Sequence, residues 1–195
     1  MTHQGTVTIY TDRLCLRRFT AADSGAMYKN WASDERVIRF LTWPAHASSQ
    51  VTAQVVAGWL PSYDRADFYQ WAICLRDGGE PIGSISAVDQ QPVVCGVEIG
   101  YCLGHRWWGQ GLMTEALAAI IDFFFIRVGF LRIAAGHDLQ NPASGRVMVK
   151  CGMRREGTLR QAGRNNTGIV DMAVYSILAA EHQKHSGQSG ADTAE

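Results

Sequence analysis

Residues 97–117 read VEIGYCLGHRWWGQGLMTEAL and form the most informative segment of the sequence. Alternating apolar residues predict a strand over Val93–Leu103, and apolar residues three and four positions apart predict a helix over Gly109–Arg127. Gly109 and Gly111 lie in the turn between them, where unpaired N–H groups and the positive end of the helix dipole favour an anion. The segment therefore predicts a phosphate-binding turn, although a helix start that binds nothing has the same spacing.

Two common phosphate-binding motifs do not fit this turn. A Walker loop requires Gly-Lys-Ser/Thr, and the sequence contains no Gly-Lys pair. A dinucleotide fingerprint requires a third glycine three residues after the second, where Thr114 stands. The pattern that remains is Arg106-x-x-Gly109-x-Gly111 after a strand.

On either side of residues 97–117, the sequence predicts strands separated by helices. The other predicted strands are Thr11–Phe19, Tyr69–Leu75, Pro81–Val88, Phe130–His137, Met153–Gln161 and Ile169–Leu178. The other predicted helices contain Met27 and Trp31, follow a cap at Ser48 or Ser49, and cover Pro142–Cys151. We therefore expect one α+β domain over residues 11–181, with a flexible segment over 1–10 and a disordered tail over 182–195.

The composition is that of an ordinary globular protein. A chain of 195 residues with 47% hydrophobic and 18% charged residues predicts a single domain with a substantial core. Its 18 basic residues balance its 18 acidic residues, so bulk charge predicts no nucleic-acid partner. The start has no basic, apolar leader, and no apolar run approaches the roughly 18 residues that cross a bilayer, so we expect a cytoplasmic protein without a membrane partner.

The metal-binding and disulfide patterns are absent from the sequence. The five cysteines are scattered without a CxxC pair, and the six histidines form no HExxH motif. We therefore expect free thiols and no metal site.

The ordered motifs together resemble the GNAT superfamily of acyl-CoA-dependent N-acetyltransferases, in its RimJ/RimL branch. The motifs, in chain order, are TDRLCLR (11–17), WAI (71–73), IG (82–83), EIGY (98–101), WGQGLMTEA (108–116), NPAS (141–144) and REGTLR (155–160). The resemblance implies a GNAT fold: a mixed, mostly antiparallel sheet of six to seven strands, splayed between the fourth and fifth, with about four flanking helices.

The same resemblance implies acetyl-CoA as co-substrate and a set of residues that bind it. Main-chain groups of Tyr101, Cys102 and Leu103 would pair with the pantetheine arm in the gap between the splayed strands. Asn141 would hold that arm from the opposite side, beside Ser144. The pyrophosphate site would comprise Arg106 and the amides of Gly109, Gln110, Gly111, Leu112 and Met113.

Acetyl transfer to a primary amine also requires acid–base groups and an acceptor site. By the resemblance, Glu98 would be the general base, and Ser144 would protonate or solvate the departing thiolate, or only contact the cofactor. Many family members carry a tyrosine four residues before the position of Gly152, where this chain has Met148. Trp43 and Tyr63 are the candidate residues of the acceptor rim.

Three interpretations of function remain open at this point. The leading one is acetylation of a protein or peptide N-terminal α-amine. The second is acetylation of a small amine such as a polyamine, an amino acid or an antibiotic. The third is a non-catalytic acyl-CoA sensor, which the methionine at position 148 motivates. A homodimer is the oligomer that the resemblance suggests.

Overall fold

A computed structural model describes residues 1–77 and 79–182, which form one eight-stranded mixed sheet. The strand order is β1-β2-β3-β4-β5-β6-β8-β7. The strands are β1 (Ile9–Tyr10), β2 (Leu14–Arg17), β3 (Gln70–Leu75), β4 (Pro81–Gln91), β5 (Gly96–Leu103), β6 (Arg132–Asp138), β7 (Arg154–Asn165) and β8 (Gly168–Leu178). Every neighbouring pair is antiparallel except β5 and β6. The predicted α+β class with a mostly antiparallel sheet is confirmed.

The α-helices that both begin and end within residues 1–77 and 79–182 flank the sheet. They are α1 (Ser24–Met27), α2 (Glu35–Ile38), α3 (Ser49–Trp59), α4 (Leu112–Asp122) and α5 (Pro142–Lys150). π-Helical segments follow α1 and α4 at Tyr28–Ala32 and Phe123–Val128. Short 3₁₀ helices cover Ala21–Asp23, Leu60–Asp64, Pro92–Val94 and His105–Trp107.

The middle of the sheet is buried on both faces, because successive apolar side chains of its strands point to opposite faces. In β3, Trp71 and Ile73 pack with α4 on one face, whereas Ala72 and Cys74 pack with α1 and α3 on the other. This two-sided burial positions α4 behind the turn at residues 104–111 and places the N-terminal helices across the sheet from it.

The first ten residues pack against the sheet, and the expectation of a flexible segment does not match their contacts. Thr6 is 1% exposed, and its hydroxyl donates to the Phe68 carbonyl at 2.9 Å while accepting from the Gln70 amide at 3.0 Å. The Trp71 indole donates to the Val7 carbonyl at 2.7 Å. Because polar and main-chain groups make these contacts, apolar patterning does not reveal them. Of the predicted tail over 182–195, only His182 lies within the described residues.

Strands β5 and β6 separate after three residue pairs. The parallel pairing covers Gly96 with Arg132, Val97 with Ile133 and Glu98 with Ala134. The predicted splay of the fourth and fifth strands is therefore confirmed. These strands are the fifth and sixth of eight, because the two-residue β1 adds a strand that the predicted sheet of six to seven lacked. No helix among residues 1–77 and 79–182 is long and apolar enough to span a bilayer.

Candidate active site

Two cavities meet where β5 and β6 separate. The first, of about 470 Å³, lies along the end of β5, the following turn and the start of α5; we call it the turn cavity. The second, of about 550 Å³, lies between loop 40–46, the middle of β4 and β5, and the ends of β7 and β8 near their hairpin; we call it the hairpin cavity. The residues that line both cavities are Phe40, Leu41, Tyr101, Cys102, Asn141 and Ser144. A molecule in one cavity can therefore reach a molecule in the other.

The glycine turn before α4 leaves main-chain N–H groups available to the turn cavity. Gly109 and Gly111 have φ angles of 74° and 76°, which a residue with a Cβ rarely adopts. Gly111 is the N-cap of α4 and supplies no side-chain cap, while Gly109 has open space around its Cα. Both glycines line the cavity together with Leu112 and Met113. This arrangement suits an anion at the start of an eleven-residue helix.

Arg106 and Gln110 do not line the turn cavity. The Arg106 guanidinium lies over the Trp107 ring, 5.8 Å from its centroid, where a cation–π contact holds it. The Gln110 side-chain amide donates to the Arg106 carbonyl at 3.1 Å. The main-chain carbonyl of Gln110 accepts from the Arg13 guanidinium at 3.0 Å. The predicted contact of the Arg106 side chain with the pyrophosphate therefore has no support from its position, whereas the prediction for Gln110 concerns its main-chain amide and stays a prediction.

Three other basic side chains line the turn cavity instead: Arg36, Arg146 and Lys150. Arg146 and Lys150 are four residues apart on α5, so a helical-face argument could have found them. Arg36 comes from α2, which is distant in sequence, and no local pattern indicates its position. Arg36 is paired with Asp34, to whose carboxylate its Nε and Nη2 donate at 2.9 and 2.7 Å, so Arg146 and Lys150 are the stronger candidates for the positive charge that the sequence assigns to Arg106.

Glu98 is the last residue of β5 that pairs with β6, and it lines the hairpin cavity. Burial raises the pKa of its carboxyl above the ordinary value, and the negative charge of Asp89 raises it further. Asp89 is its register partner on β4. The position and the raised pKa both suit a group that accepts a proton near neutral pH.

Ser144 and Tyr101 connect α5 to β5 across the gap. The Ser144 hydroxyl donates to the Tyr101 hydroxyl at 2.9 Å, and the Tyr101 hydroxyl donates to the Ser144 carbonyl at 3.0 Å. Burial strongly raises the pKa of Tyr101, so its hydroxyl keeps its proton. The resemblance indicates Tyr101 for its main chain alone, and no pattern in the sequence reveals this side-chain link.

The remaining predicted donor-side residues also lie in the turn cavity. Asn141 is the N-cap of α5, and its main-chain N–H donates to the Asp138 main-chain carbonyl at 2.7 Å. Cys102 contacts the Ser84 hydroxyl at 3.4 Å, and burial raises the pKa of its thiol. The Leu103 carbonyl accepts from the Trp108 indole at 2.6 Å, which leaves it one lone pair for a further partner.

Trp43 lines the hairpin cavity, whereas Tyr63 lies in the core. The Trp43 ring is 5.1 Å from the ring of His46, which lines the same cavity. The Tyr63 hydroxyl accepts from the Phe19 amide and donates to the Gln70 carbonyl, both at 2.9 Å. With both hydrogen bonds made inside the protein, Tyr63 serves packing rather than an acceptor rim.

Asn166, in the turn between β7 and β8, holds the loop that carries Trp43. Its side-chain nitrogen donates to the carbonyl oxygens of Ile38 at 2.9 Å, Leu41 at 3.0 Å and Trp43 at 2.8 Å. The two sides of the hairpin cavity are thereby joined through one amide. Apart from Gly78 and residues 183–195, where the structure is not described, no three His, Cys, Asp or Glu residues are grouped as a metal site would require.

Comparison with known proteins connects this geometry to a single family. A family model described as "Acetyltransferase (GNAT) domain" matches residues 13–154. The uncharacterized N-acetyltransferase YoaA of Bacillus subtilis is 31% identical over 168 residues, covering 86% of this chain and 94% of that protein. The ribosomal-protein-serine acetyltransferase of Escherichia coli is 31% identical over 139 residues, covering 71% of this chain and 76% of that protein.

Solved structures share the fold. A putative acetyltransferase from T. thermophilus superposes with a TM-score of 0.78 at 26% identity, covering 96% of this chain and 97% of that chain. RimL, a ribosomal L7/L12 α-N-protein acetyltransferase solved with coenzyme A, superposes with a TM-score of 0.78 at 23% identity, covering 88% of this chain and 98% of that chain.

Proposed function

The chain belongs to the GNAT acetyltransferase family, and from that premise we propose that it transfers an acetyl group from acetyl-CoA to the N-terminal α-amine of a protein or peptide. The main support is the pair of cavities that meet at the separation of β5 and β6. One offers amides and cations to a donor, and the other holds Glu98. The two substrates can therefore meet without a covalent enzyme intermediate.

In this proposal acetyl-CoA occupies the turn cavity. Its diphosphate would bind the amides of Gly109, Gly111, Leu112 and Met113, and Arg36, Arg146 and Lys150 would neutralise phosphate charge. Its pantetheine arm would follow β5 beyond Glu98, where the pairing with β6 has ended.

Groups where the two cavities meet can carry out each bond change and proton transfer of the reaction. The amine nitrogen attacks the thioester carbonyl, so a C–N bond forms, the C–S bond breaks, and the thiolate departs. Glu98 takes the proton that the amine loses, directly or through water. The Ser144 hydroxyl, which donates to the Tyr101 hydroxyl in the structure, would turn to donate its proton to the thiolate. Water would reprotonate Ser144, and the proton held by Glu98 would return to that water, so the products are the amide and the free thiol of coenzyme A.

An α-amine fits this site better than the small-amine alternatives. A free α-amine has a pKa of about 8 and lysine about 10.4, so a single carboxylate can deprotonate the former more readily. Asp138 also lines the hairpin cavity, but its carboxylate already accepts from the Gln140 amide and the Asn165 side chain, both at 2.8 Å. These neutral donors use part of the acceptor capacity of Asp138 but leave its charge, so a polyamine is the competing acceptor that the test below must include.

The names of two relatives support a protein acceptor. One is the Escherichia coli ribosomal-protein-serine acetyltransferase already described. The other is the [ribosomal protein uS5]-alanine N-acetyltransferase of the same organism, 37% identical over 59 residues, which cover 30% of each chain. Both names describe amino acids of ribosomal proteins as acceptors.

Thiol release from acetyl-CoA tests the proposal. We expect release with free N-terminal peptides, and none with the same peptides after chemical acetylation of the α-amine. Mass spectrometry should place the added acetyl group on the first residue. Release with spermidine but with no peptide would contradict the proposal, and coenzyme A binding without release to any amine would favour the sensor.

A further inference from the structure

The hairpin cavity is lined by apolar side chains that the fold leaves partly exposed. They are Trp43, Val55, Trp59, Val88, Val170 and Met172. Val88 is the most exposed of them, at 59%. Apolar side chains left in water within a concave surface gain free energy when a ligand covers them.

These side chains come from separate elements whose geometry directs them to one place. Val55 and Trp59 are four residues apart on α3, and so lie on one helical face. Val170 and Met172 are two residues apart on β8, and so lie on one strand face. Trp43 comes from the loop that Asn166 holds. The apolar wall is thus assembled from distant parts of the chain.

Val88 reaches the cavity through a β-bulge. On β4, Ala87 pairs with Ile99 and Asp89 with Glu98, so Val88 is the extra residue between them. A Cβ on Gly100 would lie 2.7 Å from a Val88 methyl carbon, so the Val88 side chain lies directly beside Gly100. Gly100 is two residues from Glu98 in the same strand. The apolar wall therefore begins beside the proposed base.

We propose, resting on the function proposed above, that the acceptor carries a large apolar side chain on its first residue. An amine close to Glu98 lets the substituent on the amine-bearing carbon lie against Val88, because Val88 is beside Gly100, two residues from Glu98 on the same strand. Methionine, leucine or phenylalanine there would cover the wall, whereas serine or alanine would leave it in water. A pocket of this kind discriminates by about 10-fold or more in kcat/KM.

Peptides that differ only in their first residue test this inference. With Met, Leu, Phe, Ala, Ser or Asp first, we expect kcat/KM to be at least about tenfold higher for the first three than for Ala or Ser. A preference for Ser or Ala would overturn the inference and leave the proposed function standing. Failure to acetylate any peptide would instead contradict the proposed function.

A cavity variant and a matched control make the test specific. In Val88→Ser, the ratio of kcat/KM for the Phe peptide to that for the Ala peptide should fall about three- to tenfold. Val93→Ser makes the same change at a residue that is 98% exposed outside both cavities, and should keep the wild-type ratio. Val170→Ser provides a second variant of the wall. An unchanged ratio in both cavity variants would overturn the assignment of the wall.

Discussion

Glu98 carries a charge that the fold disfavours. Its carboxyl lies at the last pair of β5 and β6, where burial and Asp89 raise its pKa. In an unfolded chain the same carboxyl is hydrated and has an ordinary pKa. The difference links protonation of this residue to folding as well as to catalysis.

We predict that Glu98→Gln increases thermal stability more at neutral than at acidic pH. Below the unfolded pKa, both states of the wild type hold the proton and Glu98 costs nothing. As pH rises through the raised folded pKa, the wild type loses stability that the variant keeps. The Tm of the variant minus that of the wild type should therefore grow between pH 4 and pH 7, as calorimetry can measure. A difference that shrinks over this range would contradict the raised pKa.

The same variant should lose activity, because it lacks the carboxylate that takes the proton from the amine. Removal of a general base costs about 10²- to 10⁴-fold in turnover, and the wild-type acidic limb should lie above the ordinary glutamate pKa. Full turnover in Glu98→Gln across the pH range would remove Glu98 from the mechanism.

Ser144 and Tyr101 share one hydrogen-bonded pair but have different predicted roles. Ser144→Ala removes the proposed sulfur contact and should lower kcat about tenfold or more. Tyr101→Phe removes only the hydroxyl that orients Ser144, so it should lower kcat less. The dissociation constant of acetyl-CoA, measured by calorimetry, should change little in either variant. Equal losses in kcat would contradict the assignment of the sulfur contact to Ser144.

At the level of elements, the boundaries differed from prediction where the backbone leaves ordinary angles. The strand predicted from Val93 begins at Gly96, because Pro92–Val94 forms a 3₁₀ turn and Cys95 has a φ of 50°. The helix predicted from Gly109 begins at Leu112, because two glycines in left-handed angles precede it. Periodicity identifies the body of an element, and local backbone geometry sets its ends.

The glycine turn yields a prediction about the donor. Gly109→Ala adds a Cβ at φ 74°, which costs about 1–2 kcal/mol in that conformation and turns the amides away from the cavity. The dissociation constant of acetyl-CoA should rise about tenfold. Gly168→Ala is the control, because Gly168, the first residue of β8, also has a positive φ, of 119°, and lies outside both cavities. An equal loss of affinity in the control would show that stability, not the turn, was responsible.

Asn166 joins two elements through a donor that faces three carbonyl oxygens. Asn166→Asp keeps the shape but presents a carboxylate to those oxygens, so it should be less stable than Asn166→Ala. We expect Tm to fall by a few degrees in Ala and further in Asp. Gln54→Glu, on the exposed surface of α3, controls for added negative charge. An aspartate variant as stable as the wild type would contradict the hydrogen bonds to the loop.

Over the whole molecule, the sequence revealed the fold more fully than the site. Strand alternation was enough to indicate most of the sheet, and apolar spacing indicated the body of α4, whereas the splay came from the resemblance to the GNAT family. Arg36 and the bulged Val88 were not predictable, since each depends on which distant elements come together. Arg106 and Tyr63 were predicted to line the site, but both lie outside the two cavities. The Trp107 ring holds the Arg106 guanidinium, and main-chain groups of Phe19 and Gln70 hold the Tyr63 hydroxyl.

Binding of acetyl-CoA should stabilise the whole domain, because its proposed contacts come from α2, β5, α4 and α5. A ligand at one hundred times its dissociation constant adds about 2.7 kcal/mol, which corresponds to a Tm increase of about 5–10 °C for a domain of this size. Adenosine lacks the diphosphate and the arm, and should produce a much smaller increase. An unchanged Tm with acetyl-CoA would contradict donor binding.

The sheet is continuous across its middle by only three residue pairs. Strands β1 to β5 form one part of the sheet, and strands β6, β8 and β7 form the other; we call each part a leaf. The walls of the fissure are therefore strands that main-chain hydrogen bonds hold within each leaf, so they depend less on any single lining side chain. Descendants of this chain can acquire new acceptors by altering the lining alone, without rebuilding the scaffold that brings donor and acceptor face to face.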